Sequence, residues 1–190
     1  METSALKARR DQLFGAGSAL FYEEPIDIVK GEGVWLYDSA GKQYLDMYNN
    51  VPHVGHCHPR VVDAICAQAG QLNTHTRYLH DNVIDYAERL TAKFPDALDT
   101  AMFCCTGSEA NELALRLARA STGASGVVSL EGGYHGNTQS LVDVSHYKFA
   151  GPGGAGPPPW SIAAPTPDEY RGRYRRDRKS TRLNSSHQII

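Results

Sequence analysis

Three stretches of this 190-residue chain predict an α/β fold. The first is an apolar run at residues 101–105, which breaks at Thr106-Gly107-Ser108-Glu109. Beyond it, apolar residues recur at Ala110, Leu113, Ala114, Leu117 and Ala118, the period of a helix. That order reads as strand, tight turn, helix. The second is GVVSL at 126–130, a continuous apolar run of the kind expected in a strand covered on both faces. The third is SIAA at 161–164, one more strand. Strand, helix, strand, with loops at the strands' C-terminal ends, is an arrangement in which ligands sit at those ends.

In chain order, residues 1–20 are polar and Gly-containing, and read as weakly helical at best. Ile26 and Ile28 then alternate with acidic residues. Val34-Trp35-Leu36-Tyr37, the turn cluster Asp38-Ser39-Ala40-Gly41 and Gln43-Tyr44-Leu45-Asp46-Met47 follow, so a small antiparallel meander is predicted. Residues 49–59, NNVPHVGHCHP, form a polar loop. A helix is expected from about Pro59, where proline suits the first turn, with Val61, Val62, Ile65, Cys66 and Ala69 on its apolar face. After the polar segment 74–81 a second helix turns Val83, Ile84, Tyr86, Ala87 and Leu90 inward, and Pro95 ends it. A turn at 131–136, a short helix around 137–142 and a core-free GPGGAGPPP at 151–159 complete the pattern.

The central turn is chemically suggestive. Thr106 followed three residues later by Glu109 is a capping-box signature, which fixes the start of the helix. Gly107 lets a ligand approach the backbone, and the free amides and positive dipole end of a helix favour a phosphate. On these residues alone an ordinary capped helix is the commoner reading. Tyr134-His135, set between glycines, puts an aromatic ring on a turn where it could stack on a flat ligand. His53, His56 and His58 around Cys57 could supply three zinc ligands, but no acidic residue adjoins them in sequence and no H-E-x-x-H helix exists. Loop packing is the expectation there, and no metal is assigned.

Composition narrows the classes. With 41% hydrophobic and 21% charged residues the chain suits a soluble globular protein. No apolar run approaches the roughly 18–20 residues needed to span a bilayer, and no secretory h-region is present. Seven of 19 basic residues crowd between Arg171 and Arg182. This leaves 12 basic against 20 acidic groups in residues 1–170, a net of −8 that argues against nucleic acid. Four cysteines without a C-x-x-C pair fit a reduced, cytoplasmic setting.

Taken together, GVWLYDSAGKQYLDMYNNVPHVGHCHP, TGSEANELALRLAR and GGYHGNT resemble the class III aminotransferases, which use pyridoxal phosphate on the type I fold of such transferases. Within that family NNVPHVGHCHP, NTHTRYLHDN, HYKF and PTPDEYRGRYRRD look closest to a phospho-lyase-like branch acting on phosphoethanolamine or phosphohydroxylysine. The resemblance runs from about Phe21 to Asp177. Its order implies a polar segment at 1–20, a small-domain meander and active-site loop at 21–58, and the start of the large cofactor-binding α/β domain at 59–177. From Arg178 the sequence RKSTRLNSSHQII looks like translated adapter or vector sequence.

By the same resemblance, the Gly107 and Ser108 amides and the Ser108 hydroxyl would hold the cofactor phosphate. Tyr134 would stack on its ring with His135 beside it. Asn50 and Arg77 would lie in substrate-lining stretches, Arg77 suiting a carboxylate or phosphate if it is not taken up in a surface ion pair. The family's Schiff-base lysine and pyridine-nitrogen aspartate lie well downstream. None of Lys7, Lys30, Lys42, Lys93, Lys148 or Lys179 has that context. No catalytic residue is therefore assigned, and the chain reads as the N-terminal portion of a longer, homodimeric enzyme. The implied activity is transfer of an amino group between an amine or amino acid and a keto acid; a phospho-lyase is the alternative. A non-catalytic phosphate-binding fragment and a metal-dependent hydrolase are the readings from other classes.

Overall fold

The computed structural model describes residues 3–172, apart from positions 16, 18, 19, 21 and 50. It divides into two compact units, Met1–Leu79 and His80–Ile190.

In the first unit, α1 spans Thr3–Phe14. The sequence predicts little helix here because the segment has no apolar stripe. The helix carries instead a Lys7–Asp11 ion pair one turn apart. The predicted meander is β1 (Ile28–Glu32), β2 (Trp35–Asp38) and β3 (Gln43–Leu45), paired antiparallel in the order β1-β2-β3 with an irregularity between Ile28 and Lys30. The turn after β2 is organised by Asp38, whose Oδ1 accepts from the Ala40 and Lys42 amides at 3.0 and 2.8 Å. Helix α2 (Pro59–Gln71) opens on Pro59, as its sequence predicts.

In the second unit, α3 (Asp81–Thr91) is capped by His80, whose Nδ1 accepts from the Asn82 amide. It ends at Thr91, ahead of Pro95. Helix α4 (Gly107–Thr122) stops where Gly123 adopts φ +69 and its N–H reaches the Arg119 carbonyl at 2.9 Å, a left-handed cap that glycine adopts without strain. Strands β4 (Val127–Leu130) and β5 (Ser161–Ala164) pair in parallel, Val127 opposite Ser161. Between them run α5 (Gln139–Val144) and α6 (His146–Phe149). Helix α5 touches α4, α6, β4 and β5. The buried hydrophobic side chains among the described residues are Leu141, Val144 and Phe149, gathered around the fully enclosed Ser145.

Three expectations change. Residues 101–105 form no strand, because a strand needs a ladder and no segment among the described residues supplies one. Strand β4 is not covered on both faces: Val128 is 67% exposed, since a two-stranded sheet with α5 on it leaves the other face open. The apolar faces read onto α2, α3 and α4 hold no buried residue. Val61, Val62, Ile65, Val83, Ile84, Tyr86 and Leu117 are exposed.

Candidate functional site

Four of the sequence-predicted residues converge in the second unit. The α4 N-terminus is built by a reciprocal capping box. Thr106 Oγ1 accepts from the Glu109 amide at 3.1 Å, while Glu109 Oε2 accepts from the Cys105 and Thr106 amides at 2.8 and 3.1 Å. These bonds leave the Gly107 and Ser108 amides without an acceptor among the described residues. A Cβ built on Gly107 meets nothing within 4 Å, so the backbone there faces open space. Free amides, a helix dipole and clearance are what an anionic group needs.

The Tyr134-His135 turn is fastened across this N-terminus by one face of α4. Ser108 Oγ accepts from the Asn137 amide at 3.1 Å. The Asn111 side-chain amide donates to the His135 carbonyl at 2.7 Å, and Thr138 Oγ1 donates to Glu112. Positions 108, 111 and 112 share a face by helical spacing. Gly136, at φ +148, lies so close that a Cβ there would be 2.7 Å from Ser108 Oγ and 2.5 Å from Leu141 Cδ1.

From beneath, the Ser145 hydroxyl accepts from the His135 amide at 2.9 Å and donates to the Leu141 carbonyl at 2.6 Å. His146 Nδ1 accepts from the Gly132 amide at 3.0 Å, and the Tyr147 amide donates to the Gly133 carbonyl at 3.1 Å. Tyr134 itself is half-exposed, with the Tyr147 ring edge-on at 6.4 Å. His135 Nε2 is buried without a hydrogen-bond partner.

In the first unit, Arg77 stands exposed in a turn, its amide donating to His75 Nδ1 at 3.1 Å. Its guanidinium makes no ion pair among the described residues. Asn50 lies outside the described residues. The histidine loop is organised by Asp46: His56 Nε2 is 2.6 Å from Asp46 Oδ2, and Asp46 Oδ1 accepts from the Tyr48 and Asn49 amides. These amides, that of Asn49 foremost, together with His56, hold the Asp46 carboxyl well below the usual carboxylate range. The acid that the sequence lacks beside the histidines is thus supplied through space. Among the described residues no three His, Cys, Asp or Glu side chains gather as a metal site requires. All four cysteines are free.

Sequence reasoning missed Asn111, Glu112, Ser145, His146 and Asp46 as supports. The polar spacing Ser108, Asn111, Glu112 on one face of an amphipathic helix was a usable signal for the first two. Nothing in the sequence joined Asp46 to His56.

A parallel strand pair joined through helices, with two acceptor-free amides where a helix begins, defines an α/β protein. Residues 20–190 match the model of the class-III aminotransferase family, and the chain belongs to that family. The match runs through residue 190, beyond the Asp177 at which the sequence reading ends the resemblance. The alanine–glyoxylate aminotransferase 2-like protein of Drosophila melanogaster is 45% identical over 174 residues, covering 91% of this chain and 35% of that protein. The chain therefore spans about a third of that relative's length. An Arthrobacter phospholyase, solved with phosphoethanolamine, is 49% identical with a TM-score of 0.79, over 86% of this chain and 38% of the other. The taurine:2-oxoglutarate aminotransferase of Bifidobacterium kashiwanohense, solved with pyridoxal phosphate and glutamate, shares the fold at 24% identity and a TM-score of 0.73, over 98% and 43%. The fold is the N-terminal part of the type I transferase fold.

Proposed function

We propose that this chain is the cofactor-anchoring part of a pyridoxal-phosphate-dependent aminotransferase that moves an amino group between a small amine or amino acid and a keto acid. The observation that carries the reading is the pair of acceptor-free amides at Gly107 and Ser108, with open space on the Cβ side of Gly107. These amides would hold the cofactor phosphate. The Ser108 hydroxyl joins them, because its oxygen already accepts from Asn137 and its proton remains to donate. Tyr134 would face the cofactor ring, with His135 beside it. When bound, pyridoxal phosphate supplies an electron sink for charge released at the substrate carbon. Arg77, having no carboxylate partner among the described residues, would take the substrate's carboxylate or phosphate, and Asn50 would lie in a stretch that lines the substrate site.

A phospho-lyase acting on phosphoethanolamine or a similar phosphorylated amine is the second reading, favoured by the 49% identity to the phospholyase. We take the enzyme to be a homodimer with sequence boundaries at 20/21, 58/59 and 177/178. The four free cysteines support a reducing compartment such as the cytoplasm. Among the described residues no helix is long and apolar enough to cross a membrane.

Titration with pyridoxal phosphate in competition with inorganic phosphate tests the proposal. Saturable binding with a clear preference for pyridoxal phosphate is expected; equal affinity would leave only a general phosphate-binding module. If the second reading holds, phosphoethanolamine perturbs the spectrum of the bound cofactor and alanine does not.

A further inference from the structure

Three consecutive residues, His146, Tyr147 and Lys148, each grip the turn that carries Tyr134. His146 accepts from the Gly132 amide, and Tyr147 donates its amide to the Gly133 carbonyl while its ring stands near-perpendicular to that of Tyr134. Lys148 Nζ lies over the Tyr134 ring, 5.6 Å from its centroid. Helix α6 is itself tied down, the Lys148 amide donating to the Ser145 carbonyl at 2.8 Å. The Lys148 side chain is half-buried and makes no ion pair with a carboxylate among the described residues. The Tyr134 ring is thus the partner the structure places beside its charge.

We propose that Lys148 is a positioning residue for Tyr134: its ammonium over one face of the ring, with the Tyr147 ring beside it, fixes the orientation in which Tyr134 presents its other face to a flat ligand. The inference rests on the reading that Tyr134 faces the cofactor ring. An aromatic side chain that is half-exposed loses rotamer freedom when it stacks on a ligand. A cation above the ring, attracted by its quadrupole, removes that freedom beforehand. The HYK run thus acts as one unit, with two main-chain-level anchors and one charge.

The test uses the full chain and pyridoxine 5′-phosphate, which keeps ring and phosphate but has no aldehyde to react with lysines, with inorganic phosphate as the second probe. Lys148→Met retains the aliphatic stem and removes the charge. It should weaken pyridoxine phosphate binding roughly two- to fivefold and leave inorganic phosphate unchanged. Lys148→Arg should restore the affinity, and Lys148→Gln should behave as Lys148→Met. Equal weakening of both probes in the Met and Gln variants, or no weakening of either, overturns the proposal. Tyr134→Leu separates it from the underlying reading. If Tyr134→Leu leaves pyridoxine phosphate affinity intact, the assignment of Tyr134 to the cofactor ring fails. If it weakens binding while Lys148→Met does not, only the role of Lys148 fails.

Discussion

The side-chain amide of Asn111 donates to the main-chain carbonyl of His135 at 2.7 Å, across 24 residues of sequence. One turn earlier Ser108 takes the Asn137 amide, so the helix with the acceptor-free amides at its start also fastens the aromatic turn. Asn111→Leu keeps the side chain's bulk and removes the donor. A neutral hydrogen bond contributes about 0.5–1.5 kcal/mol, so pyridoxal phosphate affinity should fall by roughly two- to tenfold. Equilibrium titration of the variant against the parent checks this, with inorganic phosphate affinity expected to change little.

Gly107 and Gly136 separate binding from folding. Gly107→Ala places its Cβ in open space in the first helical turn, so the melting temperature should hold or rise slightly while phosphate-ligand binding weakens. Gly136→Ala meets Leu141 Cδ1 and Ser108 Oγ from a left-handed backbone and should cost about 1–3 kcal/mol of stability. Chemical denaturation of the two variants side by side distinguishes them.

Thr106→Ala removes one arm of the capping box at α4. A loss of about 1 kcal/mol is expected, and Thr106→Ser should recover most of it. A denaturant midpoint unaffected by Thr106→Ala would mean that the helix start is held by Glu109 alone.

The Asp46 carboxyl is depressed in the folded chain by the Asn49 amide first and by His56 and the Tyr48 amide as well. A depressed carboxylate favours the folded form above the usual carboxylate range, and that contribution disappears as pH falls through the folded-state value. Acid should therefore loosen the 46–58 loop below the ordinary range of aspartates. Asp46→Asn should flatten the acid dependence and lower stability at neutral pH. Trp35 fluorescence in a Trp160→Phe background reports the change in the first unit.

Local chemistry made much of this molecule legible in its sequence. The meander was announced by period-two alternation and the cluster at Asp38 to Gly41, α2 by Pro59, and α4 by Thr106 and Glu109. What could not be read depended on partners elsewhere. Residues 101–105 have the composition of a strand and no ladder to join. Val128 and Ile65 have core character and remain at the surface, because apolar periodicity says which face wants covering and not what covers it. Residues 1–20 were read as weakly helical at best, since no apolar stripe marks α1 and its Lys7–Asp11 spacing was not weighed. At the site, the capped helix start was visible as a motif, whereas the Asp46–His56 contact and the Ser145 support arise only once the chain has folded.

Ser145 is wholly enclosed, and its one oxygen both receives the His135 amide and reaches the Leu141 carbonyl. Loop and core thereby meet in one hydroxyl. Any ligand that steadies the turn should slow deuterium uptake at the amides of α5 behind it. Conversely, fraying of α5 would be felt first as a slackened grip on whatever rests against Tyr134.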